Sequence, residues 1–112
     1  MAYYTYILRC CDGSLYTGIA SDINKRMAQH FGRTARCARY TRSHNAQRLE
    51  AVWESTDRSA ASRLEYRIKK LDKSKKQRLI DNNELCLIKE FDISLYTRIP
   101  LQNTGNEAAA TI

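Results

Sequence analysis

Residues 4 to 19 read YTYILRCCDGSLYTGI, and this stretch decides the fold. Aromatic and branched residues around Tyr6 predict a β-strand over residues 3–10, and those around Tyr16 predict a second strand over residues 15–19. Asp12-Gly13 lies between them and is a strong turn signal. The chain is therefore predicted to begin with an antiparallel hairpin that carries several tyrosines.

The length of the hairpin loop decides whether Tyr6 and Tyr16 share a face of the sheet. A two-residue loop at Asp12-Gly13 would put them on opposite faces, because side chains alternate along a strand. A three-residue loop over residues 11–13, with Gly13 in the left-handed region, would put both on one face. A site that uses both phenols requires this longer loop or a bulge, and we predict one of the two.

The rest of the chain alternates helix and strand signals. Asp22 begins a helix that extends to about residue 31, residues 49–54 read as a strand, and Ser59 is a candidate cap for the next helix, which a second helix over 74–82 follows. Residues 84–91 fit either a strand or an extended segment. The order β-β-α-β-α-α predicts an α/β (α+β) fold with a small three-stranded antiparallel sheet flanked by helices.

Length and hydropathy bound the organisation of the chain. Its 112 residues suit one domain. We predict this domain over residues 1–91 and a partly disordered C-terminal extension over residues 92–112. No apolar run approaches the ~20 residues that a membrane span needs. The first residues lack the pattern of a signal peptide, so a cytoplasmic protein is expected.

The positive charge is concentrated in one block. The net charge is +7, and no acidic residue lies between Asp22 and Glu50. The remainder of the chain carries 12 basic and 12 acidic residues. Six of the seven cations in the block are arginines, which bind phosphate through two hydrogen bonds and stack on bases. The block predicts a nucleic-acid partner. A solvated basic face is the alternative, and an anionic membrane is not favoured, because the block lacks an apolar helical stripe.

Three polar residues outside the hairpin are candidates for chemistry. Arg26 and His30 are four apart on the predicted helix and should lie on one side of it, near the sheet. Glu65 lies at the edge of the buried stripe of the following helix, where it either pairs with Lys69 or binds a metal. A single carboxylate suffices for Mg²⁺, which keeps waters and accepts phosphate oxygens.

A tyrosine can act as a base only where positive charge lowers its pKa from about 10. Arg26 and a metal would supply such charge beside Tyr6 or Tyr16, although tyrosines on strands most often serve packing. The chain has no G-x-x-x-x-G-K-[ST], G-x-G-x-x-G or H-E-x-x-H motif. Nucleotide and nicotinamide cofactors are therefore not predicted.

The ordered set of these residues resembles the GIY-YIG nuclease domain, in particular its small single-domain bacterial branch. The resemblance covers about residues 3 to 82. It is carried by Tyr4-Thr5-Tyr6, by Asp12-Gly13-Ser14-Leu15-Tyr16-Thr17-Gly18, by Arg26-x-x-x-His30, by Ala38-Arg39-Tyr40-Thr41-Arg42 and by Glu65-Tyr66-Arg67-Ile68-Lys69-Lys70-Leu71. The chain departs from the family name at Tyr4, in the position of a glycine, and at Thr17, in the position of an isoleucine.

The resemblance implies hydrolysis of a phosphodiester with one divalent metal, Mg²⁺ or Mn²⁺. By position, Tyr6 would be the general base and Tyr16 would orient the water or the phosphate. Arg26 would stabilise charge on the phosphate, His30 would assist through hydrogen bonds, and Glu65 would bind the metal. The predicted nucleic-acid contacts are Lys25, Arg33, Arg36, Arg39, Tyr40, Arg42 and Lys69.

The sequence therefore leads to a metal-dependent nuclease, with DNA a more probable substrate than RNA. Two alternatives stay open at this point. One is a nucleic-acid-binding module of the same fold that cuts poorly or not at all. The other is a structural protein whose basic face binds an acidic partner.

Overall fold

The hairpin and a third strand build an antiparallel sheet, to which a short fourth strand is added at one edge. The structure is a computed structural model and describes residues 2–31, 46–88 and 91–101. The sheet order is β2-β1-β3-β4. The strands are β1 (Tyr3–Cys10), β2 (Leu15–Ala20), β3 (Ala46–Ser55) and β4 (Thr97–Arg98). The α+β class with an antiparallel sheet is as predicted, but the predicted three strands are wrong by one.

The fourth strand was missed because it has only two residues and no alternating pattern. Trp53 pairs with Arg98, and Glu54 pairs with Thr97. The segment is held mainly by side chains: Arg98 donates to the carbonyls of Leu79 and Ile80, each at 3.0 Å. A cation beside the last carbonyls of a helix is electrostatically favourable. Such a contact cannot be read from local sequence.

The described residues form three α-helices, which pack on both faces of the sheet. Helix α1 (Ile23–Phe31) lies on one face, and α2 (Arg58–Lys69) with α3 (Lys73–Asn82) lies on the other. Two 3₁₀ turns, Leu85–Leu87 and Ile93–Leu95, follow α3. Residues 84–91 were predicted to form either a strand or an extended segment. The described residues of this range, 84–88 and 91, instead include the helical turn Leu85–Leu87.

Aspartates begin the helices. The Asp57 side chain accepts from the backbone N–H of Ala60 and caps α2, so the predicted cap at Ser59 is wrong by two residues. Asp72 caps α3 in the same way. The Asp22 carboxylate accepts from the N–H of Lys25 at 3.1 Å at the start of α1. Each side chain satisfies an N–H that has no partner within its helix.

The hairpin loop has three residues. The Cys10 N–H donates to the Ser14 carbonyl and the Gly13 N–H donates to the Cys10 carbonyl, both at 2.9 Å. Gly13 has φ +87°, in the left-handed region that glycine adopts without strain. The predicted longer loop is confirmed. Tyr6 consequently lies opposite Gly18, and Leu8 opposite Tyr16.

The face of the sheet that packs on α2 and α3, called here the core face, is apolar. Its buried centre is formed by Ile7, Trp53, Leu64, Ile68 and Leu79. Tyr96 is also buried there, so the described part of the predicted C-terminal extension packs on this core. The division of the chain at residue 91 stays a prediction. No helix in the described ranges has the length and apolar character to cross a membrane.

Candidate active site

The opposite face of the sheet, called here the site face, buries polar groups between the hairpin and α1. Tyr6 and Tyr16 both project from it because the loop has three residues. Their ring centroids lie 6.3 Å apart. Tyr6 is 1% exposed, whereas Tyr16 is partly exposed at the edge strand. One phenol is therefore enclosed, and the other borders solvent.

His30 closes this group from the side of α1. Its ring centroid is 5.6 Å from the centroids of both tyrosine rings, and its side chain is fully buried. The hydroxyl of Tyr6 and Nε2 of His30 are 2.8 Å apart. Ile23 and Met27, on the same side of α1, are buried in the adjoining apolar cluster and hold the helix against the sheet.

Burial keeps both partners of this hydrogen bond neutral. It raises the pKa of Tyr6 well above its usual value, and hydrogen bonding from Arg26 opposes this only in part. It lowers the pKa of His30 to about 4, and the charge of Arg26 acts in the same direction. At neutral pH the phenol is thus protonated and the imidazole is not. The direction of this hydrogen bond depends on the imidazole tautomer: where Nδ1 carries the ring proton, Tyr6 donates and Nε2 accepts.

Arg26 provides the fixed positive charge of the site. It lies one turn before His30 on α1, and its Nε donates to the Tyr6 hydroxyl at 3.4 Å. Its Nη1 donates to Oε1 of Gln29 at 2.7 Å, which orients the guanidinium. The side chain is partly exposed, so the same group borders both the phenol and solvent. Arg26 and His30 were predicted to lie on one side of α1 near the sheet, and in the structure both contact Tyr6.

Gly18 allows the rings to approach the neighbouring strand. A Cβ at this position would lie 2.6 Å from the Tyr6 hydroxyl oxygen, 2.8 Å from Cζ of the same ring and 3.1 Å from a ring carbon of Tyr16. These distances are shorter than van der Waals contact, so any larger residue would displace Tyr6. This role of Gly18 was not among the predictions from the sequence. A glycine inside a strand is itself a signal of close approach.

Glu65 is contributed by α2. Its side chain is 23% exposed, and its carboxylate pairs with Lys69 at 3.2 Å, the ion pair that was the alternative to a metal. Its negative charge is the smallest of the causes that act on the pKa of Tyr6, which burial chiefly raises. The predicted ion pair with Lys69 is therefore present, and metal binding by Glu65 stays a prediction.

The donors present fit a hard divalent cation that keeps most of its waters. The described residues contain no group of three or more His, Cys, Asp or Glu side chains that could hold a metal. The candidate ligand Glu65 offers only carboxylate oxygens, which suit Mg²⁺ or Mn²⁺ better than zinc. Most ligands would then come from water and from the phosphate of a substrate.

The predicted nucleic-acid contacts are only partly visible. Lys25 is exposed on α1. Lys69 is exposed on α2, beside Glu65. The remaining predicted contacts lie outside the described residues: Arg33, Arg36, Arg39, Tyr40 and Arg42. Their role stays a prediction.

Comparison with known proteins identifies related sequences. The model of the GIY-YIG catalytic domain matches residues 2–78. UPF0213 protein FN1575 from Fusobacterium nucleatum is 49% identical over 92 residues, which is 82% of this chain and 89% of that protein. UPF0213 protein BH0048 from Halalkalibacterium halodurans is 40% identical over 80 residues, 71% of this chain and 83% of that protein.

One solved structure is also similar. It is the solution NMR structure of the UPF0213 protein BH0048 from Bacillus halodurans, with 40% sequence identity over 71% of this chain and 83% of that chain. The TM-score is 0.47, so this superposition carries no weight beside the sequence matches. The names of these relatives state no activity.

Proposed function

The chain belongs to the GIY-YIG catalytic domain family, and from this premise we propose that it is a divalent-metal-dependent nuclease that hydrolyses phosphodiester bonds in DNA. The supporting observation is the 2.8 Å hydrogen bond between the buried phenol of Tyr6 and His30, with Arg26 beside it. Packing alone does not require a buried Tyr–His pair beside an arginine, because burying polar groups costs free energy unless each is hydrogen-bonded. We expect the reaction to occur in the cytoplasm.

In the proposed mechanism, Tyr6 and His30 act together as the base. The phenol cannot ionise by itself at neutral pH, since burial raises its pKa. It can accept the proton of the attacking water while its own proton moves to Nε2 of His30. The negative charge of a bound phosphodiester favours this transfer, because it raises the pKa of the imidazole. The water oxygen bonds to phosphorus, and the bond to the leaving oxygen breaks.

The other residues position the phosphate. Arg26 stabilises charge on the non-bridging oxygens in the transition state. Tyr16, at the solvent border of the cluster, orients the phosphate or the water. Glu65 would hold the metal ion. When bound, this ion would stabilise charge on the leaving oxygen.

The proposal is tested by cleavage of labelled branched, flapped and linear DNA, with and without Mg²⁺ or Mn²⁺. We expect metal-dependent cutting. Tyr6→Phe should reduce the rate by roughly 10²–10⁴, the range of a general-base contribution, and Glu65→Ala should abolish metal-dependent cutting. Both variants should keep most DNA binding. Tyr3→Phe, on β1, and Asp81→Asn, on α3, are matched controls that should cut like the wild type.

Each other outcome has a defined meaning. If both site variants cut like the wild type, the activity comes from a contaminant or from another site. DNA binding without any metal-dependent cutting would identify the binding module of the same fold. An absence of salt-sensitive DNA binding would instead favour the structural protein with an acidic partner.

A further inference from the structure

A second feature lies on the outer side of α2, away from the tyrosines. A groove, called here the α2 groove, runs between this helix and residues 91–96 and encloses about 870 Å³. This volume lies within the usual range of ligand pockets, roughly 300–1,000 Å³. None of the site residues discussed above borders it. Its main side chains are Arg58, Arg63, Tyr66, Arg67, Phe91 and Leu95.

The α2 groove is electropositive. Three arginines border it, and among the lining residues that the structure describes Asp92 is the single acidic one. The Asp92 carboxylate accepts hydrogen bonds from the backbone N–H and the hydroxyl of Ser94, at 3.0 and 2.5 Å. Within residues 2–31, 46–88 and 91–101, no carboxylate forms an ion pair with Arg58 or Arg63. The charge of the groove therefore complements an anion, and a row of guanidinium groups suits phosphates.

Aromatic rings stand among these arginines. Tyr66 is 60% exposed, the most exposed of the large hydrophobic side chains described. The guanidinium of Arg67 lies 5.8 Å from the ring centroid of Phe91, which stacks on Tyr96 at 5.3 Å with an interplanar angle of 13°. An exposed ring beside arginines is the arrangement that binds single-stranded nucleic acid, since unpaired bases stack on aromatics while phosphates meet cations.

We propose that the α2 groove binds a single-stranded segment of nucleic acid next to the bond that is cut. This inference rests on the proposed function and narrows its substrate to nucleic acid with an unpaired stretch. A duplex would use only the arginines, because its bases are stacked on each other and their faces are not available. Since α2 carries both Glu65 and the groove, one rigid helix would align the unpaired segment with the site.

The test measures binding without cutting. The fluorescence anisotropy of a labelled thymidine 20-mer and of a blunt duplex of mixed sequence is titrated with protein in EDTA. Tyr66→Ala should weaken single-strand binding about tenfold, within the range of one base stack, and should leave duplex binding nearly unchanged. Tyr66→Phe should retain single-strand binding, since it keeps the ring. Both substitutions are at an exposed helical position, so folding should be preserved.

The arginines are tested by a matched pair. Arg63→Gln and Lys75→Gln each remove one positive charge, but Lys75 is on α3, outside the groove. We expect only Arg63→Gln to weaken single-strand binding by more than about threefold at 0.1 M salt, where distant charges are largely screened. Photocrosslinking of an oligonucleotide that contains 5-iododeoxyuridine should attach it to Tyr66 or Phe91, as located by mass spectrometry.

Several results would overturn the inference. The first is that wild type and Tyr66→Ala bind the single strand with equal affinity. The second is that Tyr66→Ala loses affinity for the duplex as much as for the single strand. Crosslinks confined to residues outside the α2 groove would do the same. Binding of a polyglutamate peptide in place of the oligonucleotide would assign the groove to an acidic protein segment. Cutting by Tyr6→Phe is measured in a different experiment from oligonucleotide binding. A failure of the groove proposal can therefore be distinguished from a failure of the nuclease proposal.

Discussion

The two faces of the sheet are buried to a similar degree but differ in what their polar groups do. On the core face, polar atoms complete structural bonds: the Thr5 hydroxyl donates to the Ala61 carbonyl at 3.0 Å, and the Trp53 indole donates to the Asn83 side chain at 2.9 Å. On the site face, Tyr6 and His30 bond to each other beside a cation, and burial shifts the pKa of both.

This difference shows how burial can serve two purposes. A hydrogen bond from a side chain to a backbone carbonyl removes the desolvation cost of both groups and holds two elements together. A hydrogen bond between two titratable side chains also removes that cost, but it leaves a proton that can move. Changes on the core face should therefore affect stability alone, and changes on the site face should affect activity as well.

The largest effect on stability is expected on the core face. Leu79 is fully buried on α3, in the apolar cluster of the core face, to which Tyr6 and Tyr16 do not belong. Leu79→Ala should lower the free energy of unfolding by about 2–5 kcal/mol, through lost burial and a residual cavity. Urea denaturation measures this, and cutting per folded molecule should not change. A hundredfold slower rate with unaltered stability would contradict the separation of the two faces.

The next effect is a dependence of stability on pH, which belongs to the site face. The pKa of His30 is lowered to about 4 by burial, so the unfolded chain binds a proton before the folded chain does. Stability should therefore fall as pH decreases from about 6.5 to about 4, by at most roughly 3 kcal/mol at about 1.4 kcal/mol per pKa unit. Urea denaturation at a series of pH values measures the slope.

His30→Gln is the control for that slope, since glutamine does not titrate in this range. The pH dependence between 6.5 and 4 should be smaller in the variant than in the wild type. Equal slopes would mean that His30 is not held neutral in the folded state.

A smaller effect on stability, combined with an effect on rate, is expected at Gly18. A methyl group there would lie 2.6 Å from the Tyr6 oxygen, so the ring must shift from its present position beside His30. Gly18→Ala should destabilise by about 1–3 kcal/mol, as overpacking does, and should slow cutting at least tenfold. Gly13→Ala is the matched control: its added Cβ meets no atom closer than 3.8 Å, but its φ of +87° is strained. That variant should lose about 1 kcal/mol of stability and keep its rate.

The smallest effect on stability is expected at Thr17, whose hydroxyl is an exception to the hydrogen bonding of polar atoms on the core face. The Thr17 hydroxyl is buried, and it has no hydrogen-bond partner among the residues that the structure describes. Thr17→Val should therefore increase the free energy of unfolding by about 1 kcal/mol, because it removes an unsatisfied polar atom. Thr5→Val removes a hydroxyl that is bonded to Ala61 and should decrease it by a similar amount. If both variants lose stability equally, Thr17 has a partner such as a buried water.

Sequence reasoning reached the hairpin and the composition of the tyrosine cluster because both depend on local pattern. The loop length did not follow from the pattern alone: a two-residue and a three-residue loop both fit Asp12-Gly13, and the longer one was predicted because a site that uses both phenols requires it. The structure confirms it, with Gly13 at a positive φ. The spacing of Arg26 and His30 is one helical turn, which puts both on one side of α1 whatever the tertiary context. The helix caps were less certain, as Ser59 and Asp57 show, since several capping residue types stand close together there.

Other features depend on contacts between distant residues. Strand β4 forms because its backbone pairs with Trp53 and Glu54 and because Arg98 donates to a carbonyl near the end of α3. A strand of two residues is too short to show an alternating pattern in the sequence. The ion pair of Glu65 with Lys69 fits helical spacing, but the effect of the Glu65 charge on the pKa of Tyr6 does not follow from spacing. The α2 groove combines residues from 58–67 with residues from 91–96, two stretches that no local pattern connects.

The sequence by itself determined the hairpin and the pairing of Arg26 with His30 on one helix. These follow from backbone geometry over a few residues. Only the tertiary structure decided that Tyr6 and His30 are buried together and neutral, that Gly18 makes room for the ring, and that α2 borders a second, basic groove. Burial and pKa depend on which atoms surround a group in space, and the packing of all the elements sets that environment.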